Sequence, residues 1–410
     1  MTISAKALLR EAEEMQSKLV EIRRELHSYP ELSWEEHRTT RKIRDFLAEA
    51  GIGILPLELP VGVLAEVVGA EPGPAIALRA DIDALPIREE TGLSYASVIE
   101  GRMHACGHDF HASAILGAAL LLQKHTALLR GRVRLLFQPA EEKGTGASAM
   151  MKAGALKDVK AIFGMHNKPD LPVGTVGLKA GPLMASVDGF KITVSGKGGH
   201  AAVPDAAIDP IVAASAIVGG LQTAVSRSIS PFDSAVVSVC QFHAGTSWNV
   251  IPDTATLDGT VRTFHPQVRK KTPELLERIA SGIAAGHGAL AKLEWFAGIP
   301  CVDNHPAATE VLRNAAEALQ LSIVEAKPSA GGEDFAHYQQ VVPGSFAWIG
   351  TGGTEEWHHP KFTVDEDALV PSAALFALAA IYALEKWGAE REQEIGLAGG
   401  KGIPPHLTGV

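Results

Sequence analysis

Apolar positions recur at spacings of three and four through Leu8, Ala12, Met15, Leu19, Ile22 and Leu26, which predicts one amphipathic helix over residues 5–27 lying on a core. A second helix is expected to begin at Ser33, with Glu36 completing a capping box, and to stop before Gly51. Further along the period changes. Short continuous apolar runs at 75–78, 133–137, 161–165 and 346–349 alternate with helical stretches. Runs of this kind read as strands covered on both faces, in a mainly parallel sheet flanked by helices. Ligands bind such sheets beyond the carboxyl ends of the strands. Each run hands over acids or a histidine there: Asp81 and Asp83, Glu141 and Glu142, His166, and His358 after a Gly-rich loop.

Between about residues 181 and 300 the pattern differs again. A strand at 190–194, a helix at 209–227, strands at 235–242 and 254–264, a helix at 272–285 and a strand at 290–296 follow one another. That β-α-β-β-α-β order is the ferredoxin-like α+β unit. The predicted class is therefore α/β with a discontinuous catalytic domain, residues 1–182 and 299–410, and an insertion at 183–298. The apolar run at 368–384 is Ala-rich, carries Pro371, Ser372 and Tyr382, and is short for a bilayer, so a buried helix is expected there. A Gly/Pro-rich tail from residue 398 is expected to be loosely ordered.

Length adds support, because 410 residues exceed one ordinary core. A net charge of −10 without a Lys/Arg stripe interleaved with aromatics excludes a nucleic-acid footprint. The first residues lack the apolar segment and cleavage site of a leader. The widely spaced Cys106, Cys240 and Cys301 suit a reducing compartment, so a cytoplasmic protein without a membrane partner is expected.

The chemistry concentrates in Met103-His104-Ala105-Cys106-Gly107-His108-Asp109-Phe110-His111. Thiolate and imidazole, joined by the carboxylates above, select a divalent transition metal such as zinc or manganese. Cys106 and His108 precede an Ala/Leu-rich helix at 112–124, whose N-terminal partial charge is expected to favour a thiolate. His104 and His108 have the spacing of the zinc-protease helix motif, but Ala105 stands where its Glu belongs. Lys197 is followed by Gly rather than Ser or Thr, so residues 195–199 are not a phosphate loop. The tandem Glu141-Glu142 divides the work: one carboxylate ligates metal, and its neighbour takes a proton from metal-bound water.

The Met103–His111 loop, the Gln-Pro-Ala-Glu-Glu segment at 138–142 and the Gly-Gly-His-Ala-Ala-Val-Pro segment at 198–204 resemble the M20 metallopeptidase family. Within it they are similar to the aminoacylase, hippurate hydrolase and auxin-conjugate (IAA-amino acid) amidohydrolase branch, over residues 26–384. The resemblance implies that Cys106, His108, Glu142, His166 and His358 hold two divalent ions (zinc, manganese or cobalt), with Cys106 between them and Glu141 as general base. His358 is chosen over His359 because the family's ligand lies two residues before a proline, here Pro360. The likeness also implies that His200 reaches a partner's active site and polarises the scissile carbonyl, making the insertion a dimerisation or lid domain of a homodimer or dimer-based tetramer. Asn249 and Arg262 are matched to residues that receive the substrate carboxylate. Asp83 is expected to orient a ligating histidine, with only one of Asp81 and Asp83 facing the metals, and Glu333-Asp334 to cap a short helix. Hinges are expected at 181–182 and 298–300. The implied activity is hydrolysis of small N-acyl amino acids to a carboxylic acid and a free amino acid. A di- or aminopeptidase is the nearest alternative. A non-catalytic metal-binding homologue is a further one, which the spare carboxylate of Glu141 argues against.

Overall fold

The computed structural model describes residues 3–399, with side chains to residue 389. The chain forms two compact units. The first takes everything described up to Ala180, together with Asn304–Ala326 and the chain from Tyr338 onward; the second takes Gly181–Asp303 and Lys327–His337. The first begins with α1 (Ala5–Glu14), α2 (Gln16–Ser28), α3 (His37–Glu49), β1 (Gly53–Leu55), β2 (Val63–Val68) and β3 (Glu71–Asp81). It continues through α4 (His108–Lys124), β4 (Arg130–Gln138), α5 (Gly146–Lys152), β5 (Val159–Lys168) and β6 (Thr175–Leu178). Next come β7 (Gly181–Met184), β8 (Ser186–Ser195), β9 (Gly199–His200), α6 (Pro210–Thr223), β10 (Ala235–Ala244), β11 (Val250–Ile251), β12 (Thr254–Thr263), α7 (Pro266–Gly286), β13 (Leu290–Phe296) and β14 (Val302–Asn304). The chain closes with α8 (Pro306–Ala318), β15 (Ser322–Glu325), α9 (Ala336–Gln339), β16 (Gly344–Gly350) and α10 (Leu369–Gly399).

The main sheet has the order β1-β2-β4-β3-β5-β16-β6-β15. Its centre, β4-β3-β5-β16, is parallel throughout. That is why these strands read as unbroken apolar runs: helices cover both faces, and all of β16 is buried. Antiparallel partners join on either side, β2 to β4 and β6 to β16. The last helix is longer than its apolar run suggested. Within Glu366–Ala389 an 18-residue window has a mean hydropathy of 1.8, and the helix is long and apolar enough to cross a bilayer, yet 83% of that window is buried inside the protein. It is a core helix. Ala398 and Gly399 still belong to it, and the rest of the expected tail lies outside the described residues.

Two of the misplaced helix boundaries have identifiable reasons. The helix over residues 5–27 is broken at Met15, whose N–H turns back to the carbonyl of Ala12 and so tightens the chain to 3₁₀ spacing. The apolar stripe continues across the break, with Leu8, Ala12, Leu19, Ile22 and Leu26 all buried. α3 starts at His37, and the Ser33–Glu36 box does not form. The Ser33 hydroxyl donates to Asp83 at 2.7 Å, and Glu36 accepts the Ala140 N–H at 2.8 Å. Glu31 caps the helix instead, accepting the N–H groups of Arg38 and Thr39 at 3.0 and 2.8 Å.

In the second unit the strands take the antiparallel order β10-β12-β8-β13, the ferredoxin-like arrangement. α6 and α7 contribute Ile217, Leu221, Leu276 and Ala280 to a core closed by Phe190, Ile192 and Leu257. α7 begins at Pro266, earlier than the expected residue 272, and runs through Pro273. β10 and β13 are the edges of this sheet, and β10 leaves Val236 and Phe242 exposed.

Candidate metal centre

The parallel strands deliver their polar ends to one place in the first unit. β3 supplies Asp81 and leads to Asp83, β4 leads through Pro139 to Glu141 and Glu142, and β5 carries His166. The loop before α4 adds Cys106, and His108 is the first residue of α4. Gly107 caps that helix at φ +80°, where a Cβ would stand 2.4 Å from the Asn167 amide nitrogen, so only glycine fits. His358 arrives on a separate loop, itself at φ +66°, with its N–H bonded to the carbonyl of Ala105 at 2.8 Å.

These side chains form overlapping triads whose donor atoms lie within 4.8 Å of one another: Cys106, His108 and His166; Cys106, Glu142 and His358; and His108, Glu141 and Glu142. Cys106 belongs to two of them. The Cys106 sulfur is 3.3 Å from His166 Nε2, Glu142 Oε1 is 3.5 Å from His358 Nε2, and it is 3.9 Å from His108 Nε2. Donors sharing one tetrahedral ion, with bonds of roughly 2.0–2.3 Å, stand about 3.3–3.8 Å apart. His108 Nε2 and Glu142 Oε1 are buried and have no hydrogen-bond partner. Unpaired buried acceptors are costly unless something satisfies them, and a divalent cation does. The residues fit the metal that the sequence implied.

The surrounding contacts prepare the donors. The His108 Nδ1–H donates to Asp83 at 3.1 Å, which turns Nε2 inward as a lone pair. Asp83 also accepts the Ser33 hydroxyl and the N–H groups of Glu141 and Glu142 at 3.2 and 3.1 Å, tying the tandem acids to the histidine loop. His166 Nδ1 donates to the carbonyl of Asn167 at 2.9 Å and likewise leaves Nε2 bare. Asp81 faces the same site. It accepts from His111 at 2.6 Å and from Arg79 at 2.7 Å, and its other contact is His108 Nε2 at 3.8 Å. The expectation that one of the two aspartates turns away is thus corrected: residues i and i+2 on an extended chain share a face.

The electrostatics of the site favour a cation. Burial works against a charged His108, but Asp81, Asp83 and Glu142 outweigh it and lift its pKa to about 10. Burial, with His111 and His108 nearby, keeps His166 well below the usual histidine range, neutral and fit to ligate. For Cys106 the surroundings of the metal-free site act against the α4 N-terminus. Burial, followed by the charges of Glu142, Glu141 and Asp81, pushes its thiol well up, against the pull of the α4 N-terminus. A cation among these groups reverses that balance.

Other candidates fall elsewhere. His104 is buried outside every triad, and burial pushes its pKa down to about 4. It lies before the helix begins, so its i, i+4 spacing to His108 does not put the two on one face. His111, one turn along α4 from His108, is engaged by Asp81 and by the N–H of Asn167 at 2.9 Å. His359 pairs with Glu355 at 3.5 Å. Glu333, in the second unit, accepts the Phe335 N–H at 2.8 Å beside α9. Also in that unit, β9 pairs with β11 so that His200 lies opposite Val250, and the Ala201 N–H donates to the Asn249 carbonyl at 3.2 Å. His200 Nδ1 accepts the Ala202 N–H at 3.0 Å, which leaves Nε2 to carry the proton of a neutral ring. Arg262, on β12, bonds Thr260 and the carbonyl of Val261. Sequence reading missed Ser33, His111 and Asn167. The shared face of Asp81 and Asp83 and the helical spacing of His108 and His111 were the signals available for the second.

Known proteins resemble this chain in sequence and fold. The chain is 55% identical over 370 residues to the N-acetylcysteine deacetylase of Bacillus subtilis (strain 168), covering 90% of this chain and 97% of that protein. It is 40% identical over 380 residues to IAA-amino acid hydrolase ILR1-like 2 of Arabidopsis thaliana, covering 90% of this chain and 85% of that protein. The crystal structure of the Bacillus subtilis YXEP protein, a dinuclear metal binding peptidase from the M20 family, matches with a TM-score of 0.85 at 52% identity, over 91% of this chain and 99% of that one. The profile of peptidase family M20/M25/M40 matches residues 77–382, and the chain belongs to that family.

Proposed function

We propose that this protein is a metal-dependent amidohydrolase that cleaves small N-acyl amino acids to a carboxylic acid and a free amino acid. The observation that carries the reading is the pair of donor triads meeting at Cys106, with Glu141 beside them. In the proposed centre Cys106, His108, Glu142, His166 and His358 would hold two divalent ions, zinc, manganese or cobalt. When bound, the ions supply Lewis acidity that brings the pKa of a water near neutrality. Glu141 then takes the proton of the attacking water and delivers it to the leaving amine. Asp83 keeps His108 in the ligating tautomer through the 3.1 Å contact. His200 from a second copy of the chain donates Nε2–H to the carbonyl oxygen as charge develops there. Asn249 and Arg262 receive the substrate carboxylate, Arg262 through its planar fork.

The relatives support this substrate class by their names, N-acetylcysteine deacetylase and IAA-amino acid hydrolase. A peptidase reading has its own support, since the chain is 37% identical to thermostable carboxypeptidase 1 of Saccharolobus solfataricus. A panel of N-acetyl, N-benzoyl and indole-acetyl amino acids beside free dipeptides decides. Turnover of the acylated compounds is expected, and cleavage of dipeptides alone sinks the reading. The inserted domain of residues 183–298 is assigned to dimerisation, supported by the open β10 edge with Val236 and Phe242 exposed. A cytoplasmic location is supported by Cys106, Cys240 and Cys301, all free.

A further inference from the structure

Three of the segments that carry the donors are far apart in sequence: the loop with Cys106, strand β5 with His166, and the loop with His358. One fully buried residue outside the donor set bonds to all three. Asn167 follows His166 on β5. Its amide nitrogen donates to the carbonyl of Cys106 at 2.6 Å and lies 3.0 Å from His111 Nε2. Its amide oxygen accepts the indole N–H of Trp357 at 3.1 Å, and so does its backbone carbonyl at 3.1 Å. That same carbonyl accepts from His166 Nδ1, and the Asn167 N–H donates to His111 Nε2.

The consequences for the donors are specific. Trp357 precedes His358, so the indole contact holds the base of the His358 loop to β5. The Cys106 carbonyl contact fixes the peptide between the thiol and Gly107, where no side chain could intrude. Two donations into His111 Nε2 put its ring proton on Nδ1, facing Asp81. We propose that Asn167 is the positioning residue that holds the Cys106, His166 and His358 segments in register, so that affinity for the divalent ions depends on its carboxamide. The inference rests on the metal reading above. A carboxamide suits the task because it offers donors and an acceptor from one planar group, which neither Ala nor Asp reproduces.

The experiment measures cobalt(II) binding to full-length wild type and to Asn167→Ala, by competition with a chromophoric chelator. The thiolate-to-cobalt absorption and the melting temperature of the metal-free chain are recorded alongside. Removing such an outer contact is expected to weaken binding by about tenfold to a hundredfold and to shift the thiolate band. A lower melting temperature with wild-type cobalt affinity and an unchanged band would mean that Asn167 only packs β5, and overturns the proposal. Should Asn167→Ala fail to fold, Trp357→Phe removes one donor while keeping a ring. Weaker cobalt binding then supports the proposal and unchanged binding overturns it. Wild type that binds no cobalt sinks the metal reading itself, a failure distinct from an unaltered variant.

Discussion

Glu141 and Glu142 are neighbours in sequence but not in situation. Glu142 Oε1 stands among His108 and His358, whereas Glu141 shares a triad with His108 and Glu142 but not the one formed with Cys106 and His358. Glu141→Gln is therefore expected to keep bound metal, measured by elemental analysis, while losing turnover by roughly a hundredfold or more. Equal metal loss in Glu141→Gln and Glu142→Gln would reverse the two roles. Cys106 gives a second expectation. Burial and the carboxylates around it push its thiol pKa well up, so the metal-free group is neutral near pH 7 and must lose a proton to bind a cation. Zinc titrations in buffers of different ionisation enthalpy should show about one more proton released by wild type than by Cys106→Ala. Equal release would make Cys106 a bystander. At this scale the residues that meet in the triads were legible because each stood out in its loop. Asn167 and Ser33 were not, because their importance lies in partners 50 to 190 positions away.

At the level of elements, the start of α4, which carries His108, is anchored to α2 by buried charge. Asp109, in the first turn of α4, meets Arg23 Nε at 2.7 Å and His27 Nδ1 at 2.9 Å, and His27 Nε2 meets Glu89 at 3.2 Å. Breaking such a pair leaves an uncompensated buried charge, so Arg23→Met should destabilise the protein by about 3–5 kcal/mol in urea unfolding. A loss below about 1 kcal/mol would mean the anchor is unimportant. His27 adds a pH signature. Burial opposes its charge, but the charge and hydrogen bond of Asp109 prevail and raise its pKa. A raised folded-state pKa gives stability that is full below the unfolded value of about 6.5 and is lost as pH climbs through the folded value. The stability gap between wild type and His27→Gln should accordingly narrow above neutral pH; a gap that widens contradicts the assignment. Helices and strands themselves were legible from periodicity. Their starts were less so, since Ser33 and Glu36 spend their side chains on Asp83 and Ala140 and leave the capping of α3 to Glu31.

On the scale of the whole molecule, the change of period near residue 181 and the return of an apolar run at Phe346–Ile349 were enough to read an inserted α+β unit. The grouping of Lys327–His337 with the second unit was not legible, because it depends on tertiary contact alone. The same limit applies to His200, an exposed histidine in a glycine-rich ribbon that bonds to Ala202, Val203 and β11. Its role therefore has to be tested between chains. A two-fold pair formed through the inserted units would bury an edge such as β10 and make each site depend on both copies. Chains carrying Glu141→Gln would lack the proposed base, and chains carrying His200→Ala the proposed carbonyl donor, so neither variant alone should be more than weakly active. Under subunit exchange, half of the mixed dimers' sites would join an intact Glu141 to an intact His200 from the other copy. Activity should then recover to about a quarter of wild type in an equal mixture, since half of the dimers are mixed and one site in each is complete. No recovery, with exchange verified by native mass spectrometry, would confine His200 to its own chain or remove it from the reaction.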